Sequence, residues 1–346
     1  MWFLLNLDPA CYKGGKKPRT TQTAATTANH GEIMTSCNVS HLSSPLSTKP
    51  PVKENTCAVV ISYFPKGDLL NRVQRIQRQV AKVVVVDNGS SGEAAHRLSE
   101  IERQTDIYFI RNNGNIGVAA ALNQGAQWAI AMGYEWIVAL DQDTIVADDF
   151  LAGLFAAYEQ FPFKDELAII ASNYKDVAIK YELFPLAGHG PVSWTPVNMA
   201  ITSGSLFSLS AFRAIGPFRE ELFIDSVDFE YCLRASSKGY KIIVARNALT
   251  QHSIGAATLH KLPFKKNLLI TTNHSPVRRY YMMRNQLVLA REYLWSQPGP
   301  TASMLYRYLK AFVTMVLFEK QIARKLKFAA LGVWDGLFCN FQRKVS

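Results

Sequence analysis

The sequence predicts an α/β fold, a mostly parallel sheet flanked by helices, followed by a C-terminal amphipathic helical extension. Three observations predict it. Apolar runs of strand length alternate with helical patterns four times between residues 57 and 140. Short polar loops join them, the pattern of successive strand–helix–strand units. The runs are apolar throughout, as strands covered on both faces are.

Each element follows from its residues. CAVVISY (57–63) reads as a buried strand, and Leu69, Leu70, Val73, Ile76 and Val80 then recur at helical spacing. KVVVVDNGS (82–90) is a second strand ending in a turn. Residues 92–104 form a helical pattern with Ala94, Ala95, Leu98 and Ile101 on one side. IYFI (107–110) is a third strand, with a Gly/Asn turn and a helix near 116–132 after it. WIVAL (136–140) is a fourth and runs straight into Asp141. A helix near 147–160 and a strand near 167–171 follow. MAITSGSLFSLSAF (199–212) predicts a strand and turn, then a short helix. SVDFEYCLRASSKG (226–239) is a helix that Gly239 stops. KIIVA (241–245) and ALTQH (248–252) read as two strands. Residues 276–295, 301–319 and 321–342 read as amphipathic helices interrupted at SQPGP (296–300).

Composition sets the outer limits. With 48% apolar residues in 346, a sizeable core is available, which excludes a wholly disordered chain. Five scattered cysteines with no CxxC pair argue against a zinc site or a disulfide framework and fit a reducing compartment. Residues 1–55 are rich in Thr, Ser, Lys and Pro and read as a disordered N-terminal segment. Residues 56–275 read as the α/β domain, and 276–346 as a basic helical region. The net charge of +11 is uneven. Residues 278–346 hold 12 basic residues against 3 acidic, while residues 53–277 are nearly balanced. A nucleic-acid enzyme would spread basic charge over its working face, so no nucleic-acid partner is expected. A basic tail rich in Tyr, Trp, Leu and Phe fits an anionic membrane surface instead. The alternative is helical packing against the domain or a partner chain. No apolar stretch is long enough to span a bilayer. MWFLLNL is a poor signal peptide, short and without basic residues ahead of it. The expected location is cytoplasmic, peripheral at the inner face of the plasma membrane.

Ligands of parallel sheets bind beyond the carboxyl ends of the strands. Ser62 and Tyr63, Asp87 and Asn88, Arg111 to Asn115, and Asp141 to Asp143 stand at four such ends. Asp141 and Asp143 in LDQDT can hold a hard divalent cation, Mg2+ or Mn2+, and leave room for phosphate oxygens. Turn and helix capping is the plain alternative. Asp87 can accept from the imide N–H of uracil or thymine, or simply close an Asx-turn. Asn115 and Gly117 lie in a turn whose backbone can approach phosphates, but no dinucleotide-binding GxGxxG is present. Asp225 and Asp228 share one helical face, and either can take a proton from an attacking hydroxyl or serve as a dipole partner. Glu230 and Arg234 continue that helix. His252 is a candidate metal ligand or a structural histidine, and Ser203–Gly204 a backbone donor loop or a plain turn. Tyr280, Tyr281, Arg284 and Arg291 either line a site or face lipid headgroups.

In order along the chain, VVISY, VVVDNGS, NNGNIGVAAALNQG, LDQDT, TSGSLFS, IDSVDFEYCLR and QHS together resemble an inverting family 2 glycosyltransferase of GT-A fold, over about residues 56–290. DQDT and IDxVDxExCLR most resemble rhamnosyltransferases that use dTDP-L-rhamnose. The resemblance implies roles. Asp87 would read the pyrimidine, with Ser62 and Tyr63 beside the nucleoside. Asp141 would lie by ribose and phosphate, and Asp143 and His252 would bind the metal. Asp228 would be the catalytic base, with Asp225 as its rival, because the usual Glu-Asp pair is Val227–Asp228 here. Asn115 and Gly117 would contact donor, while Ser203, Gly204, Asp225, Glu230 and Arg234 would serve acceptor or support. The implied acceptor is a lipid-linked glycan, as in O-antigen or similar cell-surface polysaccharide assembly. Another sugar donor, or a silent nucleotide-sugar-binding scaffold, is the competing reading.

Overall fold

Seven consecutive buried residues, Thr56–Ser62, make the central strand β1. The computed structural model describes residues 49–176, 181–182, 192–251, 258–261, 268–343 and 345. After β1 come α1 (Leu69–Gln77), β2 (Lys82–Asp87), α2 (Gly92–Gln104), β3 (Tyr108–Arg111), α3 (Val118–Ala131) and β4 (Trp136–Asp141). Next are β5 (Ile145–Val146), α4 (Phe150–Gln160), β6 (Leu167–Asp176), β7 (Tyr181–Glu182), β8 (Trp194–Pro196), β9 (Ser205–Ser208), α5 (Leu209–Ile215) and α6 (Val227–Ser237). The rest are β10 (Lys241–Gln251), the antiparallel pair β11 (Thr258–Lys261) and β12 (Leu268–Thr271), and α7 (Pro276–Tyr293), α8 (Pro298–Phe318) and α9 (Ile322–Leu337).

The main sheet runs β3-β2-β1-β4-β9-β6-β10-β5, with β7 beside β6 and β8 beside β10. β3, β2, β1 and β4 are parallel, as are β6 and β10; β9 inserts antiparallel between β4 and β6. The chain leaves β1 in one direction to β2 and β3, then returns to lay β4 on the other side of β1. That switch opens a crevice beyond the carboxyl ends of β1 and β4. Alternate residues bury into two separate cores. Val59, Ile61, Val84 and Val86 pack on one face, and Val60, Val83, Val85 and Val138 on the other. At about 25 cal/mol per Å² of apolar surface, a fully buried Val contributes about 1.5–3 kcal/mol, so the register of this sheet is strongly set.

Two sequence expectations need adjusting. KIIVA and ALTQH are one strand, β10, with a bulge between Ala245 and Leu249. Its pairing with β6 resumes after the bulge, where Asn173 donates to the Arg246 carbonyl at 3.0 Å. Residues 49–55, read as the end of the leader, pack on the domain. Trp136 Nε1 donates to the Lys49 carbonyl at 2.9 Å, and Lys49 pairs with Glu135. Residues 1–48 and His252 lie outside the described residues.

The C-terminal helices pack on the domain. α9 presses on α7 where Gly332 and Gly336 meet the carbonyls of Tyr280 and Arg284, too close for any Cβ. Buried Glu319 joins the three helices, accepting from Arg279 at 2.8 Å and Lys325 at 2.7 Å. Tyr280, Tyr281 and Arg284, which could have faced lipid headgroups, are buried instead. Among the described residues no helix is long and apolar enough to cross a membrane.

Candidate active site

A cavity of about 500 Å³ lies at the switch of the sheet. Tyr63 reaches it from the end of β1, Asn115 and Gly117 from the loop before α3, and Asp141 and Asp143 from the end of β4. Ser203 reaches it from the turn before β9, and Asp225 and Asp228 from the start of α6. Residues far apart in sequence therefore share one cleft, and the ends of β1 and β4 meet there because parallel strands end on one rim.

Local hydrogen bonds hold each arm. The Asp141 N–H donates to Ser203 Oγ at 3.0 Å, and Ser203 Oγ lies 2.6 Å from Thr144 Oγ1. Gln142 ties the acidic turn back to β1, accepting from the Tyr63 N–H at 2.8 Å and donating to the Tyr63 carbonyl at 3.1 Å. Asn88 spans two strand ends, donating to Asn115 Oδ1 at 2.9 Å and accepting from the Ile116 N–H at 3.1 Å. Gly117 has φ +90°, and a Cβ there would sit 2.7 Å from the Phe223 carbonyl oxygen. Only glycine permits that approach.

Five expected site residues stand outside the cavity lining. Ser62 is buried and 3.2 Å from Gln142 Oε1. Asp87 is buried one strand over, level with Ser62 in register, and accepts from the Ser90 N–H, three residues on, at 3.1 Å. Gly204, at φ +80°, packs on Ser172 and Thr250 and donates to the Ala139 carbonyl at 2.8 Å. Glu230 and Arg234 pair with each other at 2.8 Å, and Arg234 also donates to the carbonyls of Ile215 and Pro217. Glu230 is 1% exposed, so this pair clamps α6 to the preceding segment.

The cleft also has walls that sequence reading missed. His274, Arg278 and Met282 come from the entry and first turns of α7, and Tyr308 from α8. Arg278 grips Asp225 with two bonds, 3.1 Å and 2.5 Å. Burial pushes the Asp225 carboxyl up, but the guanidinium outweighs it and holds the group below the usual carboxylate range. Burial, reinforced by Arg278, pushes His274 down to about 3, so its imidazole is neutral. Asp228 behaves oppositely. Burial pushes its carboxyl up to about 7, reinforced by the Asp225 and Asp141 carboxylates and opposed by the Phe229 N–H at 2.9 Å. One carboxylate of this pair is thus locked as an anion, while the other exchanges protons near neutrality.

The segment before α6 is bent. Phe223 (φ 63°, ψ −65°) forms a γ-turn of the rarer hand, closed by Ile224 N–H to Leu222 O at 2.7 Å. Asp225 and Ser226 follow at φ 63° and 66°. Left-handed positions in non-glycine residues cost about 1–3 kcal/mol each and persist where the surroundings enforce them. Among the described residues no three His, Cys, Asp or Glu side chains group as a metal cage. Two carboxylates on the turn after β4 still suit Mg2+ or Mn2+, which take one or two carboxylates and draw further oxygens from phosphates.

A sheet of this topology, with acidic residues on the turn after its fourth strand, defines a GT-A glycosyltransferase. The comparisons agree. Residues 57–213 match Glycosyl transferase family 2. The dTDP-rhamnosyl transferase RfbF of Shigella flexneri is 30% identical over 254 residues, 70% of this chain and 81% of the relative. The chain belongs to glycosyltransferase family 2 and is a hexosyltransferase. The crystal structure of GalNAc-T7 with UDP, GalNAc and Mn2+ shares the fold at 15% identity and TM-score 0.51. That match covers 84% of this chain, which spans only 58% of GalNAc-T7. The mannosyltransferase PcManGT of Pyrobaculum calidifontis, with GDP-Man and Mn2+, matches at 15% identity and TM-score 0.49, over 84% of this chain and 89% of that one.

Proposed function

We propose that the protein transfers L-rhamnose from dTDP-L-rhamnose to a lipid-linked glycan acceptor, by a single displacement that inverts the anomeric carbon. The observation that carries the reading is that Asp143 and Asp228, 85 positions apart in sequence, line one cavity. Asp228 takes the proton of the acceptor hydroxyl as its oxygen forms the new bond to the anomeric carbon. The bond from that carbon to the diphosphate breaks on the opposite face, and dTDP leaves. No enzyme nucleophile is needed. Asp228 suits this task because a base is most effective when its pKa lies near the working pH. Asp225, locked to Arg278, is the poorer proton acceptor and serves position instead. Asp143, with Asp141 beside it, would hold the divalent cation, Mg2+ or Mn2+, and His252 is the proposed further ligand. That cation would act as a Lewis acid, neutralising charge on the departing diphosphate. Asp87 lies level with Ser62 on the neighbouring strand and would meet the pyrimidine imide. Ser62 and Tyr63 flank the nucleoside, and Asn115 and Gly117 approach the diphosphate.

The rhamnosyl donor is supported by likeness to RfbF. A UDP-sugar donor is the second reading, because the imide edge at Asp87 is the same in uracil and thymine and GalNAc-T7 was crystallised with UDP. A panel of sugar nucleotides with purified protein and Mn2+, scored by nucleoside diphosphate release, separates them. Release from dTDP-rhamnose at least about 10-fold above UDP-sugars supports the proposal, and the reverse preference overturns the donor. No release from any donor favours the silent scaffold.

The outer surface of the C-terminal helices suits an anionic membrane. Tyr306, Leu309, Val313 and Leu317 form an exposed stripe on α8, and Trp334 and Phe338 are exposed at the end of α9. Both carboxylates of these helices and their junction, Glu319 and Asp335, are buried and paired. The exposed charges, Lys310, Lys320, Arg324 and Lys327, are therefore all positive. Apolar and cationic groups on one surface fit acidic headgroups. The inner face of α8 supplies Tyr308 to the cavity, so a lipid surface on its outer face would lie about one helix diameter, roughly 10 Å, from the reacting sugar. Leu309→Glu with Trp334→Ser should release the protein from phosphatidylglycerol vesicles while leaving donor hydrolysis intact. Vesicle binding that survives both changes would remove the membrane from the proposal.

A further inference from the structure

The turn that leads into α6 is held from outside itself. Asn285 of α7, fully buried, points its amide nitrogen at the carbonyls of Leu222, Ile224 and Asp225, at 2.9, 3.0 and 2.8 Å. Those residues bracket the γ-turn at Phe223 and the left-handed pair Asp225–Ser226. Gln286 donates to Ser226 Oγ at 2.8 Å. Arg284 donates to the carbonyls of Glu221 and Leu222, and its Nε donates to Asn285 Oδ1 at 3.0 Å, which aims the amide. The Phe223 ring stacks on Tyr281 of the same helix at 5.0 Å. Consecutive polar residues 284–286 thus all spend their donors on one six-residue turn or on each other. Ordinary core packing does not require that arrangement. An apolar helix face would fill the same volume without two desolvated amides and a guanidinium.

We infer that Asn285 is a positioning residue for transfer: its side-chain amide keeps residues 222–226 in their left-handed course, and that course places Asp225 and Asp228 in the cleft. Gln286 supports the same turn through Ser226. The inference rests on the reading of Asp228 as the base, two residues beyond Ser226. It separates two halves of the site. Asp87 and Asp141 end β2 and β4, with Asp143 on the turn beyond; Asp87 accepts from the Ser90 N–H, and the Asp141 N–H donates to Ser203. The donor side is thus built on strand ends, whereas the base follows a turn that Asn285 holds. The turn has no glycine to make its left-handed positions easy, so without the amide it should relax toward ordinary φ values.

The test compares Asn285→Ala and Gln286→Met with the unaltered full-length chain. Turnover, nucleoside diphosphate affinity by calorimetry, and amide hydrogen exchange are read for each. Asn285→Ala should lower kcat about 100-fold, the scale of a misplaced reacting group, with nucleoside diphosphate affinity within about twofold. Exchange at residues 222–228 should rise at least about 10-fold while β1 and β4 keep their protection. Gln286→Met should lower kcat about 10-fold by the same route. That change is tolerable to the fold, because Gln286 Oε1 is already buried without a partner. Unchanged kcat in both variants overturns the inference. Equal loss of affinity and turnover, with exchange rising through β1 and β4, also overturns it, since the role would then be general stability. If Asn285→Ala does not fold, Gln286→Met decides by the same measures. If the unaltered protein transfers no sugar, the catalytic reading fails, while the exchange result still decides whether α7 holds the turn.

Discussion

Replacing Asp228 by Asn should make the protein more stable and less active at once. Folding moves this carboxyl from an ordinary value of 3.8 to about 7, chiefly through burial and then through Asp225 and Asp141. Each unit is worth 1.36 kcal/mol, so the full displacement corresponds to about 4 kcal/mol, and partial exposure of the carboxylate reduces it to about 2–4. The sign follows from the direction. A carboxyl whose pKa is raised by folding carries no penalty below about pH 4, where both states are protonated. The penalty grows as pH rises and is complete above about 7. Asparagine keeps the acceptor for the Phe229 N–H and never ionises. Urea unfolding without divalent cations should therefore place Asp228→Asn about 2–4 kcal/mol above the unaltered protein at pH 8. The gap should shrink to less than half at pH 5. In the transfer assay the same variant should lose at least about 100-fold in kcat and keep its affinity for nucleoside diphosphate. Equal stability at both pH values would refute the electrostatic argument. Undiminished kcat would refute the base.

Three further outcomes follow from the geometry. The pH profile of kcat/KM should rise through an apparent pKa near 7 and fall about 10-fold per unit below it, because protonated Asp228 cannot accept a proton; a flat profile between pH 5 and 8 contradicts this. Gly117→Ala should destabilise the fold by about 1–3 kcal/mol and abolish most transfer, because its Cβ would overlap Phe223 at a positive φ; thermal melting and turnover test it, and a neutral effect would show that the contact is dispensable. Asp143→Asn should raise the Mn2+ concentration needed for half-maximal turnover at least about 10-fold, since the divalent ion loses an anionic ligand; unchanged metal dependence would move the ligand elsewhere.

Much of the fold could be read from local chemistry. Continuous apolar runs such as VVVV (83–86) become strands wherever helices cover both faces; the strands expected at 57–63, 107–110 and 136–140 ended within a residue of those bounds, whereas the one expected near 167–171 runs on to Asp176. The rim followed from the same logic, since polar residues at the ends of parallel strands must share a side. Asp141, Asp143 and Asn115 were legible for that reason. Asp225 and Asp228 were legible as a pair but not as opposites, because neighbours set their charge states. Arg278 lies 53 positions from Asp225, and nothing in either segment announces the other.

The C-terminal region shows the limit most clearly. Its composition announced cations and aromatic rings, and from that alone Arg284 and Tyr281 could line a site or face lipid headgroups. Packing sent them inward, where α7 supplies donors to the bent turn before α6: Arg284 to the Glu221 carbonyl and Asn285 to that of Asp225. Phe223 in a γ-turn has no signature either, for bulky residues avoid that geometry unless distant groups impose it. Element order, strand ends and the acidic turn are written in neighbouring residues, where hydrophobic period and turn chemistry act over a few positions. Which carboxylate moves protons, and what holds it in place, depends on desolvation and contacts between segments far apart along the chain, and those exist only once it has folded.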